Sequence, residues 1–489
     1  YQFDVKLMAT TDFQYKPGDY VLSNVRISGS SGQQVDVTDQ VLELIVYEDI
    51  NSSSLTGSLL IEDNSGIYQT LPIIGQEKLS FKVTTPGYNL SIDFNSFFAN
   101  IYDVEKRTAS SEHSHIYLLN WTTDEALLNI RTRISQSFKG LFSEHVETIL
   151  RDKRYLNSNK PLFVEETKNE RKFVVPNIRP FKTIRQMAEE SLSKKDDHSN
   201  YLFYETTQGY HYRSFDSLLG RAKANIISPT TKIFRSQPVN PNDSMFKRMA
   251  QILEYEVIES TDTLVNSANG MYSSTLLQHD IFNKQLNKYV YNYFDNKTRV
   301  YGNSQSNRAG SLVSESNTEN QKDSISKNKK TIADYSTSTL FVHSSGSSKL
   351  HTGGKVDNNA KEWLQNSVSR HLEQKYFQVQ FLTHGDTSTN VGDVIFLRIP
   401  SNRPLQISEG SDVFDPILSG RYVITNIKHT IAHKNNVHGM TIRCVKDSVS
   451  DAFSSTEFTF DEPQLKGTKS ISDSDYRAPS EVLSEQAKL

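Results

Sequence analysis

Histidines are the side chains in this sequence whose types and spacing come nearest to metal-binding or proton-transfer chemistry. They fall into three groups: His113-Ser-His115 on a predicted strand, His384-Gly-Asp386 in a predicted loop, and His429, His433 and His438 along an alternating hairpin. No acidic or cysteine ligand lies close in sequence to the first group, and Gly and Asp are ordinary turn formers in the second. We therefore expect structural, solvated or interface histidines and no metal site.

Carboxylates also cluster near two predicted strands, as Glu43, Glu48, Glu62 and Asp63. A glycosidase needs two carboxylates at a fixed separation, and nothing in this sequence sets one. The chain has no GxSxG, no P-loop and no GxGxxG before a helix. The single cysteine, Cys444, lies in an alternating run and is expected to be buried in a strand. We predict that the protein is not an enzyme and has no catalytic, cofactor-binding or metal-binding residues.

Composition indicates a large, polar, mainly β protein. The 489 residues suffice for two to four domains, only 36% are hydrophobic, and mean hydropathy is −0.55. The 25 Phe and 23 Tyr favour strands. The formal charge of −3, from 54 basic and 57 acidic residues, creates no strong overall field for nucleic acid. No run of about 20 apolar residues is present, so we expect no stable membrane association.

The first part of the chain alternates like antiparallel strands. The runs 41–47 (VLELIVY) and 55–61 (LTGSLLI) flank the polar turn formers EDINSSS and predict a hairpin. Further strands are predicted at 21–27, 79–83, 99–107 and 115–121. We assign 1–121 to a first antiparallel β-barrel or sandwich.

The apolar period changes to that of helices after 121. Thr122 and Glu125 form a predicted capping box, and helices are predicted near 123–134, at 138–151 and at 179–192. The runs YLFYET and GYHYRSF predict a hairpin that turns at residues 207–209. Residues 122–225 are therefore expected to form an α+β domain.

Strand-like alternation returns in the remainder and is interrupted by a polar segment. We assign 226–295 and 376–450 to a second β-barrel, 296–375 to a polar insertion that ends in an amphipathic helix at 359–374, and 451–489 to an acidic extended tail. The predicted fold class is thus α+β, mainly β: two related antiparallel β-barrel domains, an α+β insertion domain and a polar insertion.

Several of these runs resemble a known family in pattern and order. The stretch YEDI…LTGSLLIED…LPIIGQEKLSFKV, the segment VPNIRPF at 175–181, and above all VGDVIFLRI…LSGRYVITNIKHTI…GMTIRCVKD are similar to the central baseplate hub proteins of contractile-tailed, T-even-like bacteriophages. The last stretch also resembles late-control-type and secretion-spike hub proteins. The likeness covers about 1–225 and 248–450, and 296–359 has no clear counterpart.

The resemblance implies a structural virion protein that acts by geometry. It implies a homotrimer with two tube-type barrels per chain, placed between a hexameric tail tube protein and a trimeric spike protein and bound to other baseplate proteins. DNA would be a partner only in transit through the channel. The expected location is the tail baseplate of a virion assembled in the host cytoplasm.

Three alternatives stay open from the sequence. A tail-associated cell-wall hydrolase would carry a fused catalytic domain, which is not apparent. The hub of a cellular contractile injection system would share the same fold. A carbohydrate-binding β protein is a third reading, which the helical insertion disfavours.

The tail at 451–489 is predicted to contact a partner. Its acidic residues outnumber its basic ones, and its large apolar residues are few, so it cannot build a core of its own. We expect Phe458 and Phe460 to anchor it on the spike or on an adjacent hub chain. Packing back on its own chain is the alternative.

Overall fold

The computed structural model describes residues 15–446 with several gaps. The positions outside the described ranges are 30–31, 72, 89, 112–113, 169, 196–197, 221–230, 238–242, 260–261, 281–282, 296–331, 345–359, 376, 402–413 and 416.

The first part of the chain is built from strands whose alternate residues are buried. Leu44 and Val46, for example, are fully buried, whereas Tyr47 between two buried neighbours is exposed. The elements are β1 (Val21–Ser28), β2 (Gln34–Asp36), β3 (Val41–Asp49), β4 (Thr56–Asp63), α1 (Ile67–Thr70), β5 (Lys78–Thr84), β6 (Ser91–Asp93), β7 (Ala99–Ala109) and β8 (His115–Thr123). The predicted hairpin is β3–β4, which pair antiparallel.

The middle part combines helices with short strands, as predicted. Its elements are α2 (Asp124–Arg131), β9 (Ile134–Gly140), α3 (Phe142–Arg151), β10 (Leu162–Val164), β11 (Arg171–Ile178), α4 (Pro180–Glu189), β12 (Tyr201–Thr206), β13 (Gly209–Ser214) and α5 (Phe215–Gly220). α3 and α4 pack with the aromatic β12–β13 hairpin around one core that includes Ile149 and Met187.

Two local predictions in this part were wrong. The helix predicted at 138–151 begins only at Phe142, because Phe138 lies on β9 and Gly140 has a φ of +137° that interrupts a helix. The capping box does not form either. Thr122 lies in the strand β8, and its hydroxyl donates to the Leu55 carbonyl (3.0 Å). The Glu125 carboxylate instead accepts a hydrogen bond from the buried Lys160.

The last part returns to strands. Its elements are β14 (Ile233–Arg235), α6 (Met245–Met249), β15 (Ile252–Glu259), α7 (Thr263–Ala268), β16 (Ser273–Asp280), β17 (Gln285–Asn292), β18 (Leu340–Ser344), α8 (Ala360–Glu373), β19 (Phe377–His384), β20 (Val394–Arg398), β21 (Gly420–Ala432) and β22 (Val437–Lys446). The amphipathic helix predicted at 359–374 is α8.

One large sheet runs through both ends of the chain, in the order β15-β19-β22-β21-β3-β4-β8-β7-β5-β1-β2. The long strand β21 joins its two halves: its first residues pair with β20, and Asn426–Ala432 pair antiparallel with β3. Ile427 therefore lies in the core of the second half, while Ile431 lies in the core of the first. The mainly β, α+β class is confirmed.

The strands predicted for the second barrel divide between two sheets. β14 and β15 join the large sheet, and an isolated bridge between Arg235 and Gln251 sets β14 beside the start of β15. β16 and β17, also predicted for this barrel, instead form a separate three-stranded sheet with β18. Closure of either half into a barrel, and the domain boundaries, stay predictions.

Candidate functional site

The outer face of the large sheet is a continuous surface contributed by both halves of the chain. It consists of the strand positions that alternate with core residues, and the strand register aligns them in rows. One row runs Glu254, Leu382, Thr441, Lys428, Tyr47 and Thr56, and the next runs His384, Gly439, Thr430, Ile45, Ser58, Asn120 and Asp103. Because β21 pairs directly with β3, the surface crosses the seam between the halves without a break.

Acidic side chains dominate the charge of this outer face. From β15 to β7 its carboxylates are Glu43, Asp49, Glu62, Asp103, Glu105, Glu254 and Glu256, and the cations in the same strand positions are Lys428 and Arg443. At the far edge, β5 and β1 add Lys78, Lys82 and Arg26, of which Lys82 pairs with Asp93 and Arg26 with Asp36. Arg443 is partly engaged, since its guanidinium donates to the Gln380 amide oxygen (3.1 Å). Such a surface repels phosphate more than it binds it.

Beneath the seam, the loop 385–393 locks the two halves and the middle part together. Thr387 and Thr85 exchange hydrogen bonds between backbone N–H and hydroxyl groups (3.2 and 3.4 Å), and the Thr387 hydroxyl also donates to the Leu90 carbonyl (2.7 Å). On the other side of the loop, the Thr207 hydroxyl donates a hydrogen bond to the Asn390 amide oxygen (2.8 Å). The loop thus contacts the first half, the middle part and its own strands.

Glu48 stands at the same junction as a buried hydrogen-bond acceptor. Its carboxylate receives the backbone N–H groups of Thr207 (3.2 Å) and Val391 (3.1 Å) from two different parts of the chain. Burial raises the pKa of Glu48 to about 7, although both N–H bonds oppose that rise. The carboxylate therefore links strand β3 to the β12–β13 turn and to loop 385–393, and neither of its oxygens is exposed for catalysis.

A half-buried lysine anchors the loop from below. The Lys232 ammonium forms an ion pair with Asp386 and donates to the hydroxyls of Ser388 (2.7 Å) and Thr389 (2.6 Å). Asp386 is buried, yet its pKa is lowered, because Lys232 and the Ser388 hydrogen bonds outweigh the effect of burial. The predicted ordinary turn at 384–386 is therefore a buried ionic junction.

A second buried ion cluster joins the middle part to the first half. Lys160 Nζ lies 2.6 Å from Glu125 Oε2 and 2.5 Å from Glu205 Oε1, and all three side chains are almost fully buried. Glu205 Oε2 also accepts the Leu55 N–H (2.9 Å) and the Thr123 hydroxyl (2.8 Å). Although burial opposes a charged ammonium, the two carboxylates raise the pKa of Lys160.

Glu48, Asp63, His429 and His438 take structural positions, whereas Glu43 and Glu62 lie on the outer face of the large sheet. Asp63 accepts N–H groups at the start of α1, including those of Ile67 (2.9 Å) and Tyr68 (3.1 Å). His429 and His438 were expected to be solvated or at an interface, but both are buried and their rings meet at 3.2 Å (Nδ1 to Nε2). Burial lowers the pKa of His429 to about 3 and that of His438 to about 4.

The remaining predicted positions have the following outcomes. Cys444 is buried in β22, as expected. His113 and the anchor residues Phe458 and Phe460 lie outside the described residues, so the role of the two phenylalanines stays a prediction. Among the described residues, no group of three His, Cys, Asp or Glu side chains is placed to hold a metal ion, and no helix is long and apolar enough to cross a bilayer.

Sequence comparisons identify no relative. No protein-family profile matches the chain, and no curated protein matches it.

Solved structures that resemble the fold are phage-tail and secretion-system proteins. The tail protein from Neisseria meningitidis MC58 is 11% identical, with 88% of this chain and 97% of that chain covered and a TM-score of 0.47. The 43 kDa tail protein of prophage MuSo2 from Shewanella oneidensis is 9% identical (86% and 98% covered, TM-score 0.45). The E. coli c3393 protein, a component of the type VI secretion system, is also 9% identical (88% and 77% covered, TM-score 0.40).

Proposed function

We propose that this protein is a structural hub of a contractile injection machine, a central baseplate component that joins a tail tube to a cell-puncturing spike. The observation that carries the proposal is the acid-rich outer face that crosses the β21–β3 seam without interruption. A channel wall requires a surface of this kind, built by rigid strands and with carboxylates in excess of the cations that would hold a passing polyanion.

The mechanism that we propose is geometric, without catalysis. Each chain supplies two strand-rich halves, β1–β8 and β14–β15 with β19–β22, and three chains would arrange six halves around one axis. That number matches a hexameric tube protein on one side, while the threefold symmetry matches a trimeric spike on the other. The outer face would line the lumen through which DNA passes.

The buried junctions support this role because they keep the two halves in one orientation. Loop 385–393 and Glu48 connect the two halves directly, so the halves cannot rotate without breaking these hydrogen bonds and leaving a buried carboxyl unsatisfied. The middle part would then be available on the outside of the ring for spike and baseplate neighbours in the virion tail.

Light scattering on the purified chain tests the proposal. The expected mass is that of three 55.6 kDa chains, and it should persist on dilution, as obligate interfaces of roughly 2,000 Å² or more do. The variant Tyr47→Lys with Ile45→Lys, which adds two positive charges to the outer face, should assemble equally well and retain DNA in a filter-binding assay that the parent chain fails. A monomeric chain, or a parent chain that itself retains DNA, would exclude the hub.

A further inference from the structure

The three-stranded sheet β17-β16-β18 exposes a row of aliphatic side chains on one side. Leu286, Val290, Leu340 and Val342 are 63%, 57%, 58% and 71% exposed, and Leu277 lies between them. Strand register sets them side by side: Val290, Thr275 and Leu340 form one row, and Lys288, Leu277 and Val342 form the next. We refer to the surface formed by Leu277, Leu286, Val290, Leu340 and Val342 as the apolar face.

The opposite side of the same sheet is covered by the chain itself. Leu276 is fully buried against Trp363 of α8, and Gln365 donates to the Ser274 carbonyl (3.1 Å). One side is therefore held by a helix while the other presents aliphatic groups to solvent. Contiguous exposed apolar surface of this kind marks a site where something docks.

Charge distinguishes the two longest segments of this chain that lie outside the described residues. The other charged or titratable positions of the apolar face are Lys288 and His279, with Lys284 in the adjoining turn. The segment 296–331 is basic overall and contains no phenylalanine, so it is poorly suited to this surface. The segment 447–489 is acidic overall and carries Phe453, Phe458 and Phe460.

The point where this acidic segment begins is also close to the sheet. Lys446, the last residue of β22, pairs with Phe377, which follows α8 almost directly. At the end of α8, the Glu373 carboxylate accepts the hydroxyl of Tyr293 (2.9 Å), and Tyr293 directly follows β17. Phe458 stands 12 residues after Lys446, which allows a reach of about 40 Å at roughly 3.3 Å per residue. The eight residues of β17 span only about 26 Å.

We propose that residues 453–462 of the same chain dock on the apolar face, with Phe458 and Phe460 as the contacts. Two residues apart in an extended segment, these rings point to one side. Glu457, Asp461 and Glu462 flank them in sequence, and in the docked segment they would pair with Lys284 and Lys288. The inference is independent of the proposed hub function, since it concerns one chain.

Thiol labelling of the full-length chain tests this docking. Val342→Cys introduces a thiol in the apolar face, and the natural Cys444 is fully buried and does not compete. Alkylation of Cys at 342 should accelerate roughly tenfold when 447–489 is removed, which corresponds to about 1.4 kcal/mol of docking. The full-length variant with Phe458→Ser and Phe460→Ser should accelerate equally.

Val174→Cys on β11 is the matched control, because Val174 is 51% exposed on a different sheet. Its alkylation rate should not change on truncation. A short bis-maleimide should also join Cys introduced at 342 and at 459, between the two anchor rings, within one chain, and should leave the pair at 174 and 459 unjoined. Equal rates at 342 with and without the tail would overturn the proposal. So would cross-links that form only between chains, which would make a second copy the occupant.

Discussion

Replacing Lys160 with methionine should break the ion cluster that joins the middle part to the first half. Methionine keeps the length of the side chain and removes the charge, so Glu125 and Glu205 are left buried with no cation between them. Removing one partner of a buried ion pair costs about 3–5 kcal/mol, and the two carboxylates here also repel each other. We expect a loss of free energy of unfolding in that range.

The Leu55 amide reports on this junction directly, since its N–H donates to Glu205 Oε2 at 2.9 Å. Native-state hydrogen exchange at Leu55 should accelerate by about two to four orders of magnitude, the factor equivalent to about 3–5 kcal/mol. Urea unfolding followed by circular dichroism gives the accompanying loss of stability. Lys194→Met is the matched control, because Lys194 pairs with Glu166 at 2.9 Å on the exposed surface and should cost no more than about 1 kcal/mol.

Two results would refute this reasoning. If Lys160→Met and Lys194→Met were equally stable, the buried cluster would contribute nothing to the junction. If the triple variant with Glu125→Gln and Glu205→Gln did not recover part of the loss, the cost would come from packing and not from unpaired charge.

Acid should destabilise the wild type through His429 and His438, whose folded pKa values of about 3 and 4 lie below the ordinary 6.5. Both are neutral above pH 6.5, and the free energy of unfolding falls as the pH drops from 6.5 towards 4, by on the order of 2 kcal/mol per histidine at pH 5. A variant with both histidines replaced by leucine should lose that pH dependence. Parallel stability curves for the variant and the wild type would contradict this assignment. The pH dependence due to Glu48 has the opposite sign. Its folded pKa of about 7 lies above the ordinary 4.5, so the folded state favours the protonated carboxyl, and the free energy of unfolding falls as the pH rises from 4.5 through 7. The free energy of unfolding of Glu48→Gln, measured by urea titration, should therefore rise relative to that of the wild type between pH 5 and 8. A difference between the two proteins that stays constant with pH would be inconsistent with a buried carboxyl of raised pKa. Gly57→Ala should cost about 3 kcal/mol, since its Cβ would lie 2.2 Å from the Trp121 ring, and a melting temperature equal to the wild type's would disprove that close approach.

The sequence predicted the elements whose signal is local. Alternation alone located the β3–β4 hairpin, and helical spacing located α4 and α8. It failed at 138–151, where Phe138 and Phe142 suit a helix as well as a strand followed by a helix. The φ of Gly140 decided between them, and a periodicity pattern does not contain that information.

The junctions could not be predicted because their partners are distant along the chain. Glu48 receives the N–H of Val391, and β3 pairs with β21, across more than three hundred residues. Asp386 looked like a turn residue because its local neighbours are turn formers, and only the fold brings Lys232 beneath it. Strand alternation alone did not show that Glu48 and His429 occupy core-facing positions.

Electron cryo-microscopy of the purified assembly tests the central claim most directly. The account predicts a threefold ring in which Glu43, Glu254 and Lys428 of each chain face a central lumen and the middle part lies outside. A ring with the outer face of the large sheet turned away from the axis, or a chain that forms no ring, would contradict it.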